Sequence, residues 1–293
     1  MRKDCHFPAR GALKRLAGAA MLAIATGTAM AATVEVFHAD SLAGPMRELK
    51  RAFEAQHAGV TINLTSGVSR ELAARIVRGD TVDVFAPSSP AVIEQDLMNR
   101  AVAGTDRDAA TWYVVFSANE MVVITARGNP LGIAKIGDLA KPDVRLARVT
   151  GEKDLATNRT IEFVRRAVAA EGTPALAQSV IDKAPADPAR TTGVPDVVAA
   201  VKDGRANAGI VYYSAAVAAR NDIDAIRFPD SVNMNEAIRN AATVTGTARN
   251  PAEAQAFVEF LLSSEAQRIL KDTGQPPVVP ALRAGAVPFK PAP

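Results

Sequence analysis

The chain has 293 residues, of which 48% are hydrophobic and 22% are charged, and its formal net charge is +3. This length and composition are sufficient for two domains of ordinary size, each with a buried core. Five of the cations but only one of the carboxylates lie in residues 1–31, so the rest of the chain has a formal charge of −1. Such a balance excludes the basic surface typical of a nucleic-acid-binding protein.

Residues with nucleophilic or metal-binding side chains are scarce. The only cysteine is Cys5, and beyond residue 31 the only histidines are His38 and His57. Beyond the N-terminal segment we therefore expect no disulfide and no thiolate nucleophile. Two histidines without a cysteine do not favour a metal site, and they leave few candidate bases for a Ser-His-Asp triad.

The N-terminal segment is typical of a secretory signal peptide. Basic residues precede an apolar, Ala-rich run from Leu16 to Met30, and Ala29-Met30-Ala31 has the small-x-small pattern of a cleavage site. The apolar run is shorter than the roughly 20 residues that span a membrane. We predict that residues 1–31 are removed on export, and that the remaining protein is periplasmic and not inserted in the membrane.

The first segment after this leader predicts a strand, a tight turn and a helix. Residues 34–37 are typical of a strand, and the apolar residues of 42–53 recur at helical spacing. Asp40 and Ser41 occupy the turn, where either can cap the helix. Because the free N–H groups at a helix start also bind small anions, Ser41 is either an N-cap or an anion ligand.

Two more units of this kind follow. Residues 60–65 and 82–86 predict strands, each followed by a turn with hydroxyl side chains, Ser66-Gly67-Val68-Ser69 and Pro87-Ser88-Ser89-Pro90, and then by a helix. The βαβαβ order predicts a parallel sheet with helices on both faces. Ligands bind at the carboxyl ends of such strands, which is where the turns containing Ser41 and Ser69 would lie.

The rest of the chain predicts a second α/β unit and a terminal helix. Strands are expected at 112–116, 121–125, 145–149 and 208–213, with a polar turn at 151–158 before the mid-chain helix. A single long final helix is predicted from Asn250 as N-cap to a stop at Gly274 and Pro276. The Pro-rich tail beyond it is predicted to run extended over the surface.

Three segments resemble the periplasmic molybdate- and tungstate-binding proteins of ABC importers: 36–42, 112–119 and 209–212. The resemblance covers nearly the whole chain, from about Val34 to Pro280. It implies an α/β, two-lobed periplasmic-binding-protein fold, in which each lobe is a mostly parallel sheet flanked by helices and crossover strands join the lobes. Lobe 1 would comprise residues 32–116 and 235–293, and lobe 2 residues 117–234.

The resemblance also implies a ligand site and partners. The hydroxyl groups with which the family binds its ligand correspond to Ser41 and Ser69. The family's backbone contacts correspond to Ala156 and Val194, and its tyrosine contact to Tyr212. The ligand would be molybdate or tungstate, with no catalytic residue, no other cofactor and no metal site of the protein's own. The expected partner is an ABC importer permease, and the protein is expected to be a monomer and not an enzyme.

Some residues depart from the family pattern. Asp154 and Arg159 match the archaeal-type branch of the molybdate- and tungstate-binding proteins. Val211, however, stands where that branch has a metal-ligating Glu. A carboxylate ~4 Å from an anion costs about 1 to 4 kcal/mol at an effective dielectric of 80 to 20. We therefore predict a tetrahedral anion with Asp154 peripheral, and direct metal ligation by Asp154 is the alternative. Lys and Arg side chains are usually solvated, and we expect the same of Lys153 and Arg159.

Two alternatives remain open from the sequence. The ligand could be another small anion, such as sulfate, phosphate or a carboxylate. The chain could also be a secreted hydrolase, although His38 and His57 are the only histidines available as a base and no nucleophile stands at a recognisable spacing from either.

Overall fold

The computed structural model describes residue 1 and residues 32–151, 155–184 and 192–290. The residues described from Ala32 onward belong to one compact unit. Apart from Met1, the predicted signal peptide lies outside the described residues, as do Lys153 and Asp154. The division into lobes at 116/117 and 234/235 stays a prediction.

The described residues form ten strands and nine α-helices. The strands are β1 (Ala32–Ala39), β2 (Val60–Gly67), β3 (Val84–Ala86), β4 (Trp112–Ala118), β5 (Met121–Ala126), β6 (Leu146–Arg148), β7 (Ala208–Tyr212), β8 (Ile223–Ile226), β9 (Arg239–Val244) and β10 (Pro277–Gly285). The α-helices are α1 (Ala43–Gln56), α2 (Ser69–Val77), α3 (Pro90–Asp96), α4 (Leu155–Ala170), α5 (Leu176–Asp182), α6 (Val194–Lys202), α7 (Tyr213–Ala218), α8 (Pro251–Leu261) and α9 (Ser264–Asp272). Two short 3-10 helices span Asp40–Leu42 and Ile136–Ala140.

The strands form two separate mixed sheets. The larger has the order β10-β4-β9-β3-β1-β2, and the smaller has the order β6-β7-β5-β8. Parallel pairing is limited to β1–β2, β1–β3 and β6–β7. The prediction of mostly parallel sheets is therefore wrong, because β4, β5, β8, β9 and β10 pair antiparallel instead of through βαβ units.

The register of β1 brings three turns to one edge of the larger sheet. His38 pairs with Ser66 of β2 and with Ala86 of β3, so the three strands end at nearly the same level. The buried carboxylate of Asp83, just before β3, helps to fix this arrangement, since it accepts hydrogen bonds from Glu35 N at 2.8 Å and Arg249 N at 2.7 Å. The turns that follow β1, β2 and β3 consequently lie side by side.

Two connections between the sheets run next to each other. Only Asn119 and Glu120 separate β4 of the larger sheet from β5 of the smaller one. The chain returns through the segment before β9, whose Ile238 carbonyl accepts a hydrogen bond from Asn119 N at 3.1 Å. Glu120 is buried and accepts from Asn233 Nδ2 at 2.8 Å, so the two connections are bonded to each other through side chains as well.

Two predictions about element bounds are wrong. The final helix is two helices, because Ser263 starts a new one: its Oγ accepts from Ala266 N at 3.2 Å. The predicted polar turn at 151–158 is already helical from Leu155. The Pro-rich tail is extended at the surface as predicted from Pro277 to Gly285, where it forms β10 and pairs antiparallel with β4 at the edge of the larger sheet.

Gly209 in β7 sets the distance between the smaller sheet and α6. A Cβ at this position would lie 2.9 Å from Val197 Cγ1 and 3.1 Å from Ile124 Cγ1. Those atoms belong to α6 and β5 in the core of the smaller sheet, where there is little room to move. Any side chain at Gly209 would therefore displace α6.

We expect Gly209→Val to lower the free energy of unfolding by about 1–3 kcal/mol, the usual cost of overpacking a core. Urea denaturation measures it. Gly44→Ala in α1 is the matched control, because a Cβ there meets nothing within 4 Å, and it should not destabilise the protein. An unchanged free energy of unfolding in Gly209→Val would contradict the packing described here.

Candidate functional site

A small cavity lies where the two sheets face each other. Its volume is about 30 Å³. Cavities for drug-sized ligands measure about 300–1,000 Å³, so this one admits a few atoms, as in a small ion. The residues that line it are Ala39, Asp40, Ser41, Gly67, Val68, Ser69, Ser88, Ala156, Val194 and Tyr212.

The structure brings all five predicted ligand contacts to this cavity. Ser41 lies in the 3-10 turn after β1, and Ser69 is the first residue of α2. From the smaller sheet come Ala156 in the first turn of α4, Val194 at the start of α6 and Tyr212 at the end of β7. Their roles as ligand contacts stay a prediction.

Ser41 does not cap a helix. Neither the 3-10 turn nor α1 has a side-chain hydrogen bond at its N-cap. Instead the Ser41 carbonyl accepts from Ser214 Oγ at 3.0 Å and from Gln275 Nε2 at 3.1 Å, which fixes the turn. Within the described residues its own hydroxyl makes no hydrogen bond, so it can donate to a ligand in the cavity.

Ser88 is a cavity residue that the sequence analysis missed. It lies in the turn after β3, is buried, and its backbone N donates to Ser69 Oγ at 3.3 Å. The signal was present in the sequence, because Ser88 follows the carboxyl end of a predicted parallel strand in the same way as Ser41 and Ser69.

For Arg159, which matches the archaeal-type pattern, the expectation of a solvated charge is wrong. It is 8% exposed and lies one turn after Ala156 on α4. Its Nη1 donates to the Tyr212 hydroxyl at 3.1 Å and its Nη2 donates to the Ser88 carbonyl at 2.7 Å. The guanidinium is therefore bonded to two residues of the cavity wall: Tyr212, at the end of a strand of the smaller sheet, and Ser88, after a strand of the larger sheet.

This buried guanidinium forms no ion pair with a carboxylate in the part of the chain that the structure describes. A buried charge without a counter-charge costs several kcal/mol. An anion in the cavity that Ser88 and Tyr212 line would be a counter-charge for this guanidinium.

Helix starts add to the positive potential of the cavity. Both α2 and α6 begin on its wall, at Ser69 and Val194, and Ala156 lies in the first turn of α4. Helix N-termini carry partial positive charge and unpaired N–H donors. Among the described residues of the cavity wall the opposing charge is Asp40, an exposed carboxylate that accepts a hydrogen bond from Ser66 Oγ.

The histidines considered for a hydrolase lie off the cavity wall. His38 is buried in β1 with its Nδ1 2.9 Å from the Ala39 carbonyl oxygen, and His57 stacks on Phe53 at the end of α1. Within the described residues no group of three or more His, Cys, Asp or Glu could hold a metal ion. No helix in the described part of the chain has the length and hydropathy needed to cross a membrane.

Comparison with known proteins gives a family and a fold. The profile of the family described as bacterial extracellular solute-binding protein matches residues 34–275. The molybdate-binding protein ModA of Mycobacterium tuberculosis is 27% identical over 244 residues, covering 83% of this chain and 84% of the relative.

Two solved structures have the same fold. The periplasmic molybdate-binding protein of Azotobacter vinelandii has a TM-score of 0.64 at 20% identity, covering 84% of this chain and 99% of that one. The sulfate-binding protein SubI of M. tuberculosis has a TM-score of 0.65 at 15% identity, covering 85% and 88%. These likenesses confirm the predicted periplasmic-binding-protein fold.

His38, next to the cavity, should make stability depend on pH. Burial lowers the pKa of its imidazole below the ordinary value, and nearby Arg47 lowers it further, while the Ala39 carbonyl and Asp40 oppose the shift. The unfolded chain, with a histidine pKa near 6.5, then binds more protons than the folded protein as pH falls below about 6.5.

We therefore expect the free energy of unfolding to fall as pH decreases from about 6.5 and to show no His38 contribution at higher pH. Urea denaturation at several pH values between 7.5 and 5.5 measures the slope. His38→Gln should flatten it. Equal slopes in His38→Gln and the unsubstituted protein would show that His38 titrates normally.

Proposed function

Since the chain belongs to the bacterial extracellular solute-binding proteins, we propose that it captures a small tetrahedral oxyanion, molybdate or tungstate, and delivers it to the permease of an ABC importer. The observation that carries this proposal is the buried Arg159 guanidinium, which lacks a carboxylate partner among the described residues. Its hydrogen-bond partners Ser88 and Tyr212 line a cavity of ionic size.

The remaining donors suit a fully deprotonated oxyanion. Ser41, Ser69, Ala156, Val194 and Tyr212 line the cavity, and we propose that their hydroxyl and backbone N–H groups donate to the anion. Neutral donors and helix N-termini can bind an anion without a layer of cationic side chains. These residues come from elements on both sides of the cavity, which favours a compact ion that can accept hydrogen bonds on several sides.

The choice of molybdate or tungstate over other oxyanions rests on the relatives. ModA of M. tuberculosis is named as a molybdate-binding protein, and it matches over most of both chains. Sulfate is the second candidate, because the sulfate-binding protein SubI has the same fold. Calorimetry with molybdate, tungstate, sulfate and phosphate distinguishes them, and preferential binding of sulfate or phosphate would reassign the ligand.

The proposal includes a location and partners. The basic, Ala-rich segment of residues 1–31 supports export to the periplasm. The described residues of the cavity wall include no histidine. A protein that binds a small molecule without converting it needs no general base, so this wall is compatible with binding alone. The protein is proposed to act as a monomer that meets the permease, and not as an enzyme.

Ser41→Ala and Ser69→Ala should each weaken molybdate binding about tenfold to a hundredfold. Each change removes a hydroxyl donor to a charged acceptor, an interaction worth roughly 1.5–3 kcal/mol. Isothermal titration calorimetry measures the affinity. Ser89→Ala is the matched control, since Ser89 follows Ser88 but does not line the cavity. Unchanged affinity in both cavity variants would move the site elsewhere.

Arg159→Met should have two opposite effects. Oxyanion binding should fall by about a hundredfold or more, because the buried counter-charge is lost. The ligand-free protein should be as stable as before or more stable, because an unpaired buried charge is removed. Calorimetry and urea denaturation without ligand measure the two effects. Retained binding would contradict the role given to Arg159.

A further inference from the structure

Two buried side chains that do not line the oxyanion cavity hold one of its wall residues in place. The Ser41 carbonyl accepts from Ser214 Oγ at 3.0 Å and from Gln275 Nε2 at 3.1 Å. Ser214 lies in the first turn of α7, and Gln275 lies in the segment that follows α9. Both donors therefore reach the site from behind its wall.

We propose that Ser214 and Gln275 are positioning residues of the oxyanion site, which act through Ser41 and not by contact with the ligand. The inference rests on the proposed function and deepens it. Holding this carbonyl fixes the planar peptide unit that begins at Ser41, and with it the Cα from which the hydroxyl side chain projects. A donor that is already oriented loses less conformational entropy when it binds a ligand.

Ser214 links Ser41 to the first connection between the sheets. Its hydroxyl accepts from Asn119 Nδ2 at 2.9 Å, so its single proton is available for the Ser41 carbonyl. Asn119 is held in turn, because its Oδ1 accepts from Glu120 N at 2.9 Å. Since Asn119 and Glu120 are that connection, one of the two donors to Ser41 is fixed by it.

Gln275 links Ser41 to the second connection, through which the chain returns to β9. The Oε1 of Gln275 accepts from Asn240 Nδ2 at 2.6 Å, which leaves its Nε2 to donate to Ser41. Asn240 lies in β9 directly after the return, and its Nδ2 also donates to Ser117 Oγ of β4 at 2.9 Å. The other donor to Ser41 is therefore fixed by the strands at the second connection.

The two donors reach the same oxygen because Gly274 lets the segment after α9 pack on the start of α7. Its φ of +78° lies in the left-handed region that favours glycine. A Cβ at Gly274 would lie 3.0 Å from Ser214 Cα and 2.9 Å from Val217 Cγ2. A side chain there would push α7 away from Gln275, so the close packing is a requirement of the double hydrogen bond.

The polar side chains of both branches are buried and hydrogen-bonded: Ser117, Asn119, Ser214, Asn240 and Gln275. Burying so many polar groups is less favourable than packing apolar ones unless the bonds are made. Networks of this kind rigidify the groups that they contact. Here both branches end on one backbone oxygen, and that oxygen belongs to a proposed ligand contact.

A double-mutant cycle tests whether Ser214 acts through Ser41. Calorimetry measures the molybdate affinity of the full protein, of Ser41→Ala, of Ser214→Ala and of the double variant. We expect Ser214→Ala alone to weaken binding about tenfold, but by less than about twofold when it is added to Ser41→Ala, because no hydroxyl is then left to position. A merely structural role of Ser214 would give equal factors in both backgrounds.

Gln275→Met supplies a second, independent cycle with Ser41→Ala. It removes the donor but keeps the length of the side chain, and Asn240 retains Ser117 as an acceptor. We expect the same pattern of factors. Thr245→Val is the matched control, because the buried Thr245 hydroxyl also donates to a backbone carbonyl but bonds to no residue of the cavity wall. Its molybdate affinity should be unchanged, and circular dichroism verifies the fold of each variant.

The possible results separate this inference from the proposed function. If molybdate binds but Ser214→Ala and Gln275→Met bind it as tightly as the unsubstituted protein, the inference is wrong and the oxyanion function stands. Equal losses with and without the Ser41 hydroxyl would also overturn it. If Ser214→Ala does not fold, the Gln275→Met cycle decides. If no oxyanion binds to the unsubstituted protein, the proposed function and the inference are both wrong.

Discussion

The guanidinium of Arg159 joins the two sides of the molecule. It reaches from α4 to Tyr212 on the side of the smaller sheet and to the Ser88 turn on the side of the larger sheet. Because these groups exclude water, charges interact there at a lower effective dielectric than at the surface. One buried cation is therefore bonded to both sides of the cavity wall.

The local pattern of the sequence was enough to find one side of the site. A strand followed by a hydroxyl-bearing turn and an amphipathic helix is encoded within about 20 residues, and it predicted Ser41 and Ser69 in the right place. Ser88 also follows a strand, but the prolines at 87 and 90 led to the prediction of a turn without a ligand contact. Ala156, Val194 and Tyr212 came from the family resemblance, because no local pattern distinguishes them.

Properties that depend on distant partners could not be predicted. Whether Arg159 is solvated or buried depends on how α4 packs against Ser88, which is far away in the sequence. The mixed pairing of both sheets depends in the same way on which strands meet after folding. The break between α8 and α9 is different: Ser263 is a recognisable N-cap, but the continuous apolar pattern on both sides favoured one helix.

The strand order has a consequence for the time course of synthesis. β9 lies between β3 and β4, although it is made long after both, with the whole smaller sheet in between. Until residues 239–244 leave the ribosome, β3 has one unpaired edge. β4 then has no partner in the larger sheet, because its other neighbour, β10, is made later still. Such non-local pairing slows folding. A nascent chain that cannot close its main sheet early stays unfolded for longer.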